Sequence, residues 1–277
     1  MNPYFKYNYI TVTNQKELDE FLNGTTVNKS DYCVNIQSDE PLVVKSSEVK
    51  YFKIYDNSII TFLETPRFAH IYAYDDAIAI IKTDNYNKST KVSGDDNSTI
   101  VNLNNNYKCI DYSLTNNAKL KNESLNTDVP REMYLRVNIS TQERLDECVK
   151  LYGNYSNAKF CINQSYSETG SELVVNQKIN GSFEVRGESR VVFKKPTNSD
   201  NDNFDYRFDY RIVTVDFSTA IIETNKCSII AFRDATIIKR CKDDIAYKYI
   251  IGNAKLIDES HLLDTNKHKE TSKGRCK

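Results

Sequence analysis

The chain has 277 residues, of which 37 are Lys or Arg and 38 are Asp or Glu, so its formal net charge at pH 7 is −1. This balance provides no basic face for counterion release, and direct nucleic-acid binding is not expected. Residues 1–8 lack the apolar core of a signal peptide and no run of about 18 apolar residues occurs, so the sequence predicts a soluble protein without a membrane span.

The first predicted element is a short amphipathic helix within residues 13–22. Thr13 or Asn14 can cap its start, and Leu18 and Leu22 fall on one face together with Phe21. Such a helix can cover the open end of a stack of β coils, which needs a polar cover for solubility.

Four similar corners follow in the first half, each an apolar run, a polar or glycine pair, Ala or Ser, and a second apolar run. The small residues Ser58, Ala77, Ser98 and Ala118 are about 20 residues apart, the length of one solenoid coil. Asp, Asn and Gly tolerate left-handed backbone, so they bend a strand. We predict that the small residue beside each bend points into a narrow interior.

A β-sandwich or barrel with short strands and polar turns would give similar alternation. The solenoid is favoured because Asn-Gly and Asp-Gly, the dipeptides of two-residue hairpins, occur only at Asn23-Gly24 and Asn180-Gly181. The sandwich stays open as the alternative.

The second half repeats the order of the first, since residues 134–149 resemble residues 9–22. They predict a second helix with Leu145, Cys148 and Val149 on its buried stripe. Four more corners follow, with small residues at Ser189, Ala220, Ala235 and Ala254. The predicted fold class is therefore mainly β, as two tandem copies of a short helix plus a β-solenoid unit.

The polar segment 121–131 contains Pro130 and divides the two halves. We expect one lobe at residues 1–125 and a second at 131–263. A polar, acidic loop insertion is predicted at 194–209, because it interrupts the first coil of the second copy. The Lys-rich segment 264–277 is expected to be a disordered tail.

The seven cysteines are an odd number, and Cys33, Cys148, Cys161 and Cys227 lie within apolar runs. A free thiol in such a run packs as a small hydrophobic group. This usage favours a reducing compartment and predicts a cytoplasmic protein.

Motifs for metal, cofactor or nucleophilic chemistry are not found in the sequence. Cys-x-x-Cys is absent, and the three histidines are scattered. Residues 200–205 have the acidity of a calcium loop but lack its central glycine and closing glutamate. We therefore expect no metal, no cofactor and no enzyme activity, and interpret 200–205 as a solvated acidic loop.

Paired carboxylates are the one candidate for catalytic residues in the sequence. Asp75, Asp76, Asp95 and Asp96 could act on a sugar substrate, since carboxylate pairs hydrolyse glycosidic bonds. The same acids lie at corners, where turn formation already explains them.

Tyrosine gives the clearest indication of binding, with 19 residues of this type. Several, including Tyr112, are expected at outward-facing or loop positions, and tyrosine is enriched in protein interfaces. Tyrosine is also a good strand former, which is the simpler explanation. The residues predicted to bind a partner are Tyr72, Tyr74, Asp75, Tyr86, Asp200, Asp202, Tyr206 and Tyr210.

The coils at residues 71–79 and 229–237, together with the short helix before each half, resemble a family of right-handed β-solenoid proteins encoded in prophages and mobile elements. The resemblance covers about half of the chain, in scattered coils, several of which lack the family's Ala at the corner. It implies a right-handed solenoid, and it supplies no catalytic residues.

The resulting expectation is a non-catalytic protein-binding solenoid of phage or mobile-element origin in the cytoplasm of a bacterial host. Its partner would be a protein, such as a nuclease effector of host defence, which it would inhibit in the manner of an anti-CRISPR protein. Two alternatives stay open: a polysaccharide-acting β-helix enzyme, and a structural or virion component that forms homo-oligomers through exposed coil edges.

Overall fold

A computed structural model describes residues 7–45, 47–64, 68–82, 90–104, 110–123, 133–164, 172–197 and 209–262. The chain forms two compact units, Met1–Val137 and Asn138–Lys277. No helix among these described residues is long and apolar enough to cross a membrane.

The described residues of the first unit form one α-helix, one short 3-10 helix at Lys29–Asp31 and a series of short strands. Strand β12 crosses the boundary between the units. In chain order the elements are β1 (Asn8–Val12), α1 (Gln15–Asn23), β2 (Tyr32–Ile36), β3 (Leu42–Val44), β4 (Tyr51–Ile54), β5 (Ile59–Phe62), β6 (His70–Ala73), β7 (Ile78–Ile81), β8 (Thr90–Gly94), β9 (Thr99–Asn102), β10 (Ile110–Leu114), β11 (Lys119–Asn122) and β12 (Tyr134–Ile139).

The described residues of the second unit form a helix after the end of β12, and then strands. Its elements are α2 (Gln142–Tyr152), β13 (Ala158–Asn163), β14 (Leu173–Val175), β15 (Ser182–Arg186), β16 (Arg190–Phe193), β17 (Tyr210–Thr214), β18 (Thr219–Ile222), β19 (Cys227–Ala231), β20 (Thr236–Lys239), β21 (Tyr247–Ile250) and β22 (Lys255–Asp258).

Each coil places one strand in a first sheet and one in a second sheet. In the first unit the second sheet has the order β11-β9-β7-β5-β3, and in the second unit it has the order β14-β16-β18-β20-β22. The pairing is parallel, with partners about one coil apart, as in Ile54 with Ala73. The parallel β-solenoid prediction is confirmed, and the sandwich alternative is wrong because sandwiches are built from antiparallel strands.

The core is made of inward rows that run from coil to coil. One row of the first unit joins Val34, Phe52, Ile71 and Val92, all of them inaccessible to solvent. Because side chains alternate across a strand, every second residue enters such a row and the others face outward. This alternation produces the regular apolar spacing of the sequence.

Each corner bends at a residue with left-handed backbone. Asp56, Asp75, Asp96 and Asn116 have φ between 52 and 57°, Asp216 and Arg233 have φ of 63 and 59°, and Gly187 and Gly252 have φ of 62 and 72°. The predicted role of Asp, Asn and Gly is thus confirmed at seven corners, whereas Arg233 is an arginine in a conformation that arginine rarely adopts.

The small residue two positions after the bend points inward, as predicted. Ser58, Ala77 and Ala118 are fully or almost fully buried, and Ser189 is too. The backbone N–H of each donates to the carbonyl three residues earlier, which closes the turn. At one corner the prediction is wrong, because the residue in this position is Ser218, whereas Ala220 lies within β18.

The two helices confirm the amphipathic pattern, and each bonds to an edge strand of its own unit. The Asn14 side chain accepts from the backbone N–H of Glu17 and caps α1, and Thr141 caps α2 in the same way. The Gln15 Nε2 donates to the Val43 carbonyl at 3.0 Å, and the Val43 N–H donates to Gln15 Oε1 at 2.7 Å. A glutamine side chain therefore replaces the missing neighbour of edge strand β3.

The second helix repeats this contact with the same distances. Gln142 Nε2 donates to the Val174 carbonyl at 3.0 Å, and the Val174 N–H donates to Gln142 Oε1 at 2.7 Å. Edge strand β14 is thus bonded by a glutamine side chain in the same way as β3. The expectation that each helix closes an open end of its solenoid stays a prediction.

The cysteines within the described residues are free and buried, as the sequence predicted for four of them. They are Cys33, Cys148, Cys161, Cys227 and Cys241. Burial raises the pKa of Cys227 to about 12, so this thiol is protonated at neutral pH and packs as an apolar group.

Candidate functional site

An aromatic surface covers the outward side of the first sheet in the first unit. Strand β4 presents Tyr51 and Lys53 outward, and the next coil places His70 and Tyr72 beside them, because Tyr51 pairs with His70 and Lys53 with Tyr72. With the residues that follow each strand and one from β1, this surface consists of Tyr9, Tyr51, Lys53, Tyr55, His70, Tyr72 and Tyr74. We name it the tyrosine face.

The rings of the tyrosine face stack on one another along the solenoid. Tyr51 and His70 have centroids 5.0 Å apart with an interplanar angle of 12°, and Tyr55 and Tyr74 are 5.1 Å apart at the same angle. Tyr72 lies between them, 6.3 Å from His70 and 6.4 Å from Tyr74. The faces of neighbouring rings are therefore turned toward each other along the solenoid.

The periphery of the face is more open than its centre. Tyr9 is 62% exposed, and the Lys53 ammonium lies 5.7 Å from the centroid of its ring. Tyr51, Tyr72 and Tyr74 are half-buried by their neighbours. The face therefore combines an exposed aromatic ring and a cation with a row of ordered hydroxyl groups.

Burial also sets the protonation of the face. It raises the pKa of Tyr72 and of Tyr74, so both hydroxyl groups stay neutral and can donate hydrogen bonds. Burial and the nearby Lys91 charge lower the pKa of His70. His70 is neutral at pH 7, and its Nδ1 lies 3.4 Å from the Tyr72 hydroxyl oxygen.

Two of the predicted binding residues, Tyr72 and Tyr74, lie within the tyrosine face, and Asp75 lies next to it at a corner. The Asp75 carboxylate accepts from the backbone N–H of Asp56 at 3.2 Å, so it joins two consecutive corners. Tyr86, Asp200, Asp202 and Tyr206, together with most of the insertion 194–209 and the segment 264–277, lie outside the described residues.

Two tyrosines expected to face outward are interior. Tyr210 is 1% exposed and Tyr112 is 3% exposed. The Tyr210 hydroxyl donates to the Lys194 carbonyl at 2.7 Å, and that of Tyr112 donates to Asn102 Oδ1 at 2.8 Å. The outward placement was wrong, because both residues occupy inward rows and satisfy their hydroxyl groups there.

Position relative to the corner separates the two kinds of tyrosine. Counted back from the left-handed residue, Tyr55 and Tyr74 are one residue away and Tyr72 is three, whereas Tyr112 is four and Tyr210 is six. Odd positions face outward and even positions face inward, as the alternation of a strand requires. This parity would also have indicated four of the five residues of the face that the sequence argument missed, namely Tyr51, Lys53, Tyr55 and His70.

The corner carboxylates are used in structural hydrogen bonds. Asp95 Oδ1 accepts from the Asn116 side chain at 2.6 Å and from the backbone N–H of Asp96 at 2.8 Å. Among the described residues there is also no group of three or more His, Cys, Asp or Glu side chains arranged to hold a metal ion. The corner acids thus tie neighbouring coils together, as Asp75 does.

The second unit contains a groove of about 690 Å³ at the ends of its second sheet. Its lining mixes cations, such as Lys226 and Arg240, with the acids Asp209, Glu223 and Asp243. Arg240 is paired with Glu259 at 2.9 Å, and Thr224 donates to Asp209 at 3.3 Å. Some of the lining groups are therefore already engaged in hydrogen bonds or ion pairs.

Comparison with known proteins gave no match: neither a family model, nor a curated protein, nor a solved structure is similar to this chain.

Proposed function

We propose that this chain is a non-catalytic protein-binding solenoid that engages its partner through the tyrosine face. The observation that carries the proposal is the row of stacked aromatic rings on the outward side of the first sheet. Tyrosine supplies contact area at little entropic cost, and its hydroxyl adds a directional hydrogen bond. Because the rings are already held by stacking, little further ordering is required on binding.

A protein is favoured over a polysaccharide by the orientation of the rings. A sugar would need an open ring face on which to stack, but in the Tyr51–His70 and Tyr55–Tyr74 pairs the ring faces already contact each other. Edges and hydroxyl groups fit the mixed polar and apolar surface of a protein.

We further propose that the protein originates from a phage or mobile element and acts in the bacterial cytoplasm as an inhibitor of host defence, with a nuclease effector as its partner. The resemblance of the coil sequences to prophage-encoded solenoids supports the origin. The tyrosine face supports inhibition by occupation of a partner's surface, since no chemistry is needed for it.

Duplication of one ancestral unit is the proposed origin of the two halves. Matching contacts support it: Gln15 with Val43 and Gln142 with Val174 use the same atoms at the same distances. In both cases the glutamine is the first residue of a helix and the valine is the middle residue of a three-residue strand.

The test compares the tagged wild-type protein with a Tyr9→Ser/Tyr72→Ser/Tyr74→Ser variant in affinity capture from bacterial lysate, followed by quantitative mass spectrometry. A protein recovered by the wild type should be lost at least about tenfold in the variant, which corresponds to about 1.4 kcal/mol of binding free energy. The matched control is Phe217→Ser, which removes an aromatic side chain that is 69% exposed at a corner of the second unit.

Recovery that is equal for the wild type and both variants would contradict a role for the face.

The defence proposal has its own test, which measures plasmid interference in bacteria carrying an active CRISPR nuclease. Expression of the wild type should relieve interference and the triple variant should not. Interference unchanged by the wild type, in hosts whose lysate gives a captured protein, would reject inhibition while leaving protein binding intact.

A further inference from the structure

The tyrosine face is bordered on one side by carboxylates. Tyr55 and Tyr74 each directly precede a left-handed corner residue, and in both coils that residue is an aspartate. The next coil has Asp95 in the place of the tyrosine, since its backbone N–H bonds to the end of the preceding first-sheet strand as that of Tyr74 does. We name this side of the face the acidic border. It consists of Asp56, Asp75, Asp76, Asp95 and Asp96.

The negative charge of the acidic border is not compensated at its own corners. Residues 55–58, 74–77 and 95–98 contain no Lys, Arg or His. Its carboxylates accept from neutral donors, as Asp75 Oδ2 does from the backbone N–H of Asp56 at 3.2 Å. Asp95 Oδ1 accepts from the Asn116 side chain at 2.6 Å. Within the described part of the chain, none of the five carboxylates forms an ion pair.

A corner of the second unit shows the opposite arrangement. There Asp216 forms an ion pair with Arg233 of the following corner. Neighbouring strands of a sheet are about 4.8 Å apart, so like charges at successive corners repel each other and opposite charges attract. Three successive acidic corners are therefore unfavourable in the chain by itself, and cations placed beside them would remove this repulsion.

The cations of the tyrosine face lie away from the acidic border. Lys53 is on β4, three residues before the corner at Asp56, and its ammonium lies over the Tyr9 ring instead. Lys91 is on β8, five residues before the corner at Asp96. At about 3.3 Å per residue these separations are about 10 and 16 Å, whereas the Debye length at physiological ionic strength is about 8 Å. Solvent ions thus largely separate the two sets of charges.

The carboxylates and the rings are close enough to act on one ligand. Burial raises the pKa of Tyr74, and the nearby charge of Asp95 raises it further. Lysine and arginine carry a charged group on a long apolar stem, so the stem can pack on a ring while the charged group reaches a carboxylate. Arginine in addition matches a carboxylate with two parallel N–H donors.

We propose that the partner contacts the tyrosine face with a basic segment, whose Lys or Arg side chains pair with the acidic border. This inference rests on the proposed function and adds the chemical class of the partner surface. Opposite charges across an interface speed association and exclude wrong partners. A nucleic acid is disfavoured as the occupant, since its phosphates would be repelled by the same carboxylates.

The test measures binding of a fluorescent peptide of alternating Arg and Ser to the full chain by fluorescence anisotropy. Asp56→Asn/Asp75→Asn/Asp96→Asn, the triple asparagine variant, removes three charges and keeps the corners, because Asn116 is the left-handed residue of the following corner. We expect this variant to bind the peptide at least about tenfold more weakly than the wild type. The affinity of the wild type should also fall as the NaCl concentration rises.

The matched control is Glu143→Gln/Glu188→Gln/Asp234→Asn, which removes as many charges from exposed positions of the second unit. It should bind the peptide as the wild type does. The triple tyrosine variant of the lysate test should bind several-fold more weakly, because the stems lose their rings. Denaturant unfolding confirms that each variant is folded.

Several results would overturn the proposal. They are a wild type that does not bind the peptide, an equal loss of affinity in the matched control, and unchanged affinity in the triple tyrosine variant. Equally tight binding of a peptide of alternating Glu and Ser would also overturn it. Displacement of the peptide by calcium at micromolar concentration would instead make the acidic border a cation site.

Lysate capture separates this proposal from the proposed function. A captured protein that is lost with the triple tyrosine variant but kept by the triple asparagine variant would reject a basic segment and leave protein binding by the face intact. Equal recovery with the wild type and every variant would contradict both proposals.

Discussion

At the residue scale, a left-handed residue followed two positions later by a buried small residue recurs at seven described corners, from the one between β4 and β5 to the one between β19 and β20. The left-handed conformation costs a non-glycine residue about 1–2 kcal/mol, and Asp and Asn reduce this cost by bonding locally. The corner at Arg233 lacks such a side chain, and Arg233 forms an ion pair with Asp216 of the preceding corner. The ion pair thus joins two consecutive coils at a corner whose left-handed residue is neither Asp, Asn nor Gly.

Gly187 gives a direct test of this requirement. Its φ is +62°, and a Cβ at this position would lie 2.8 Å from Asn163 Oδ1. We expect Gly187→Ala to lower the free energy of unfolding by about 1–3 kcal/mol, through backbone strain and this contact. Denaturant unfolding measures the change, with the neighbouring exposed Glu188→Ala as control. Equal stability of the two variants would contradict the requirement for left-handed backbone.

Glu184 predicts how stability depends on pH. Burial alone would raise its pKa, but the hydrogen bond and charge of Lys159, with its Nζ 2.9 Å from Glu184 Oε2, and the charge of Arg186 outweigh burial and lower the pKa. A carboxylate with a lowered pKa stabilises the fold above its unfolded pKa of about 4.3 and loses this contribution as the pH falls through its folded value.

The measurement is urea unfolding of the wild type and of Glu184→Gln from pH 7 to pH 3. The wild type should lose more stability than the variant below pH about 4.3, where the unfolded chain takes up the proton first. Parallel pH curves for the two proteins would show that Glu184 does not contribute.

At the element scale, the glutamine contacts of α1 and α2 replace a missing neighbouring strand. Gln15→Ala leaves the Val43 N–H and C=O without these partners at a half-buried edge, which should cost about 1–3 kcal/mol. Hydrogen exchange of the Val43 amide should accelerate in the same variant. Gln142→Ala should do the same at Val174.

Lys16→Ala is the matched control, because the Lys16 side chain is 84% exposed and its pair with Glu20 is 3.8 Å long. Exposed pairs of this kind contribute about 0–1 kcal/mol. If Val43 exchanged equally slowly in Gln15→Ala and Lys16→Ala, the helix would not be the cover of that strand edge.

Much of the element scale could be predicted from the sequence, because local chemistry determines it. The caps at Asn14 and Thr141 use short polar side chains before an apolar pattern, and the corners use residues that tolerate left-handed backbone. The two failures have different causes. The pattern assigns the corner to Ala220 instead of Ser218, a displacement of two residues that stays on the inward side, since both are buried. Tyr210 is assigned to the outside, and an error of one residue in the position along a strand is enough to reverse its side.

At the scale of the whole molecule, stacking of successive coils brings together residues far apart in sequence. The tyrosine face takes residues from β1, β4 and β6 and from the positions that follow β4 and β6. Sequence spacing alone does not show that Tyr51 stacks on His70 and Tyr55 on Tyr74, with ring centroids 5.0 and 5.1 Å apart. The register in which β4 pairs with β6 determines which of these rings are neighbours. The sequence predicted Tyr72 and Tyr74, but not the five residues around them.

The central claim is that the tyrosine face contacts a partner protein, and site-specific photocrosslinking tests it most directly. A photoreactive phenylalanine derivative replaces Tyr9 in one protein, Tyr74 in a second and Phe217 in a third, and each is irradiated in bacterial lysate. We predict the same discrete crosslinked protein from the Tyr9 and Tyr74 positions and none from Phe217. Crosslinking from Phe217 alone, or from none of the three, would contradict the claim.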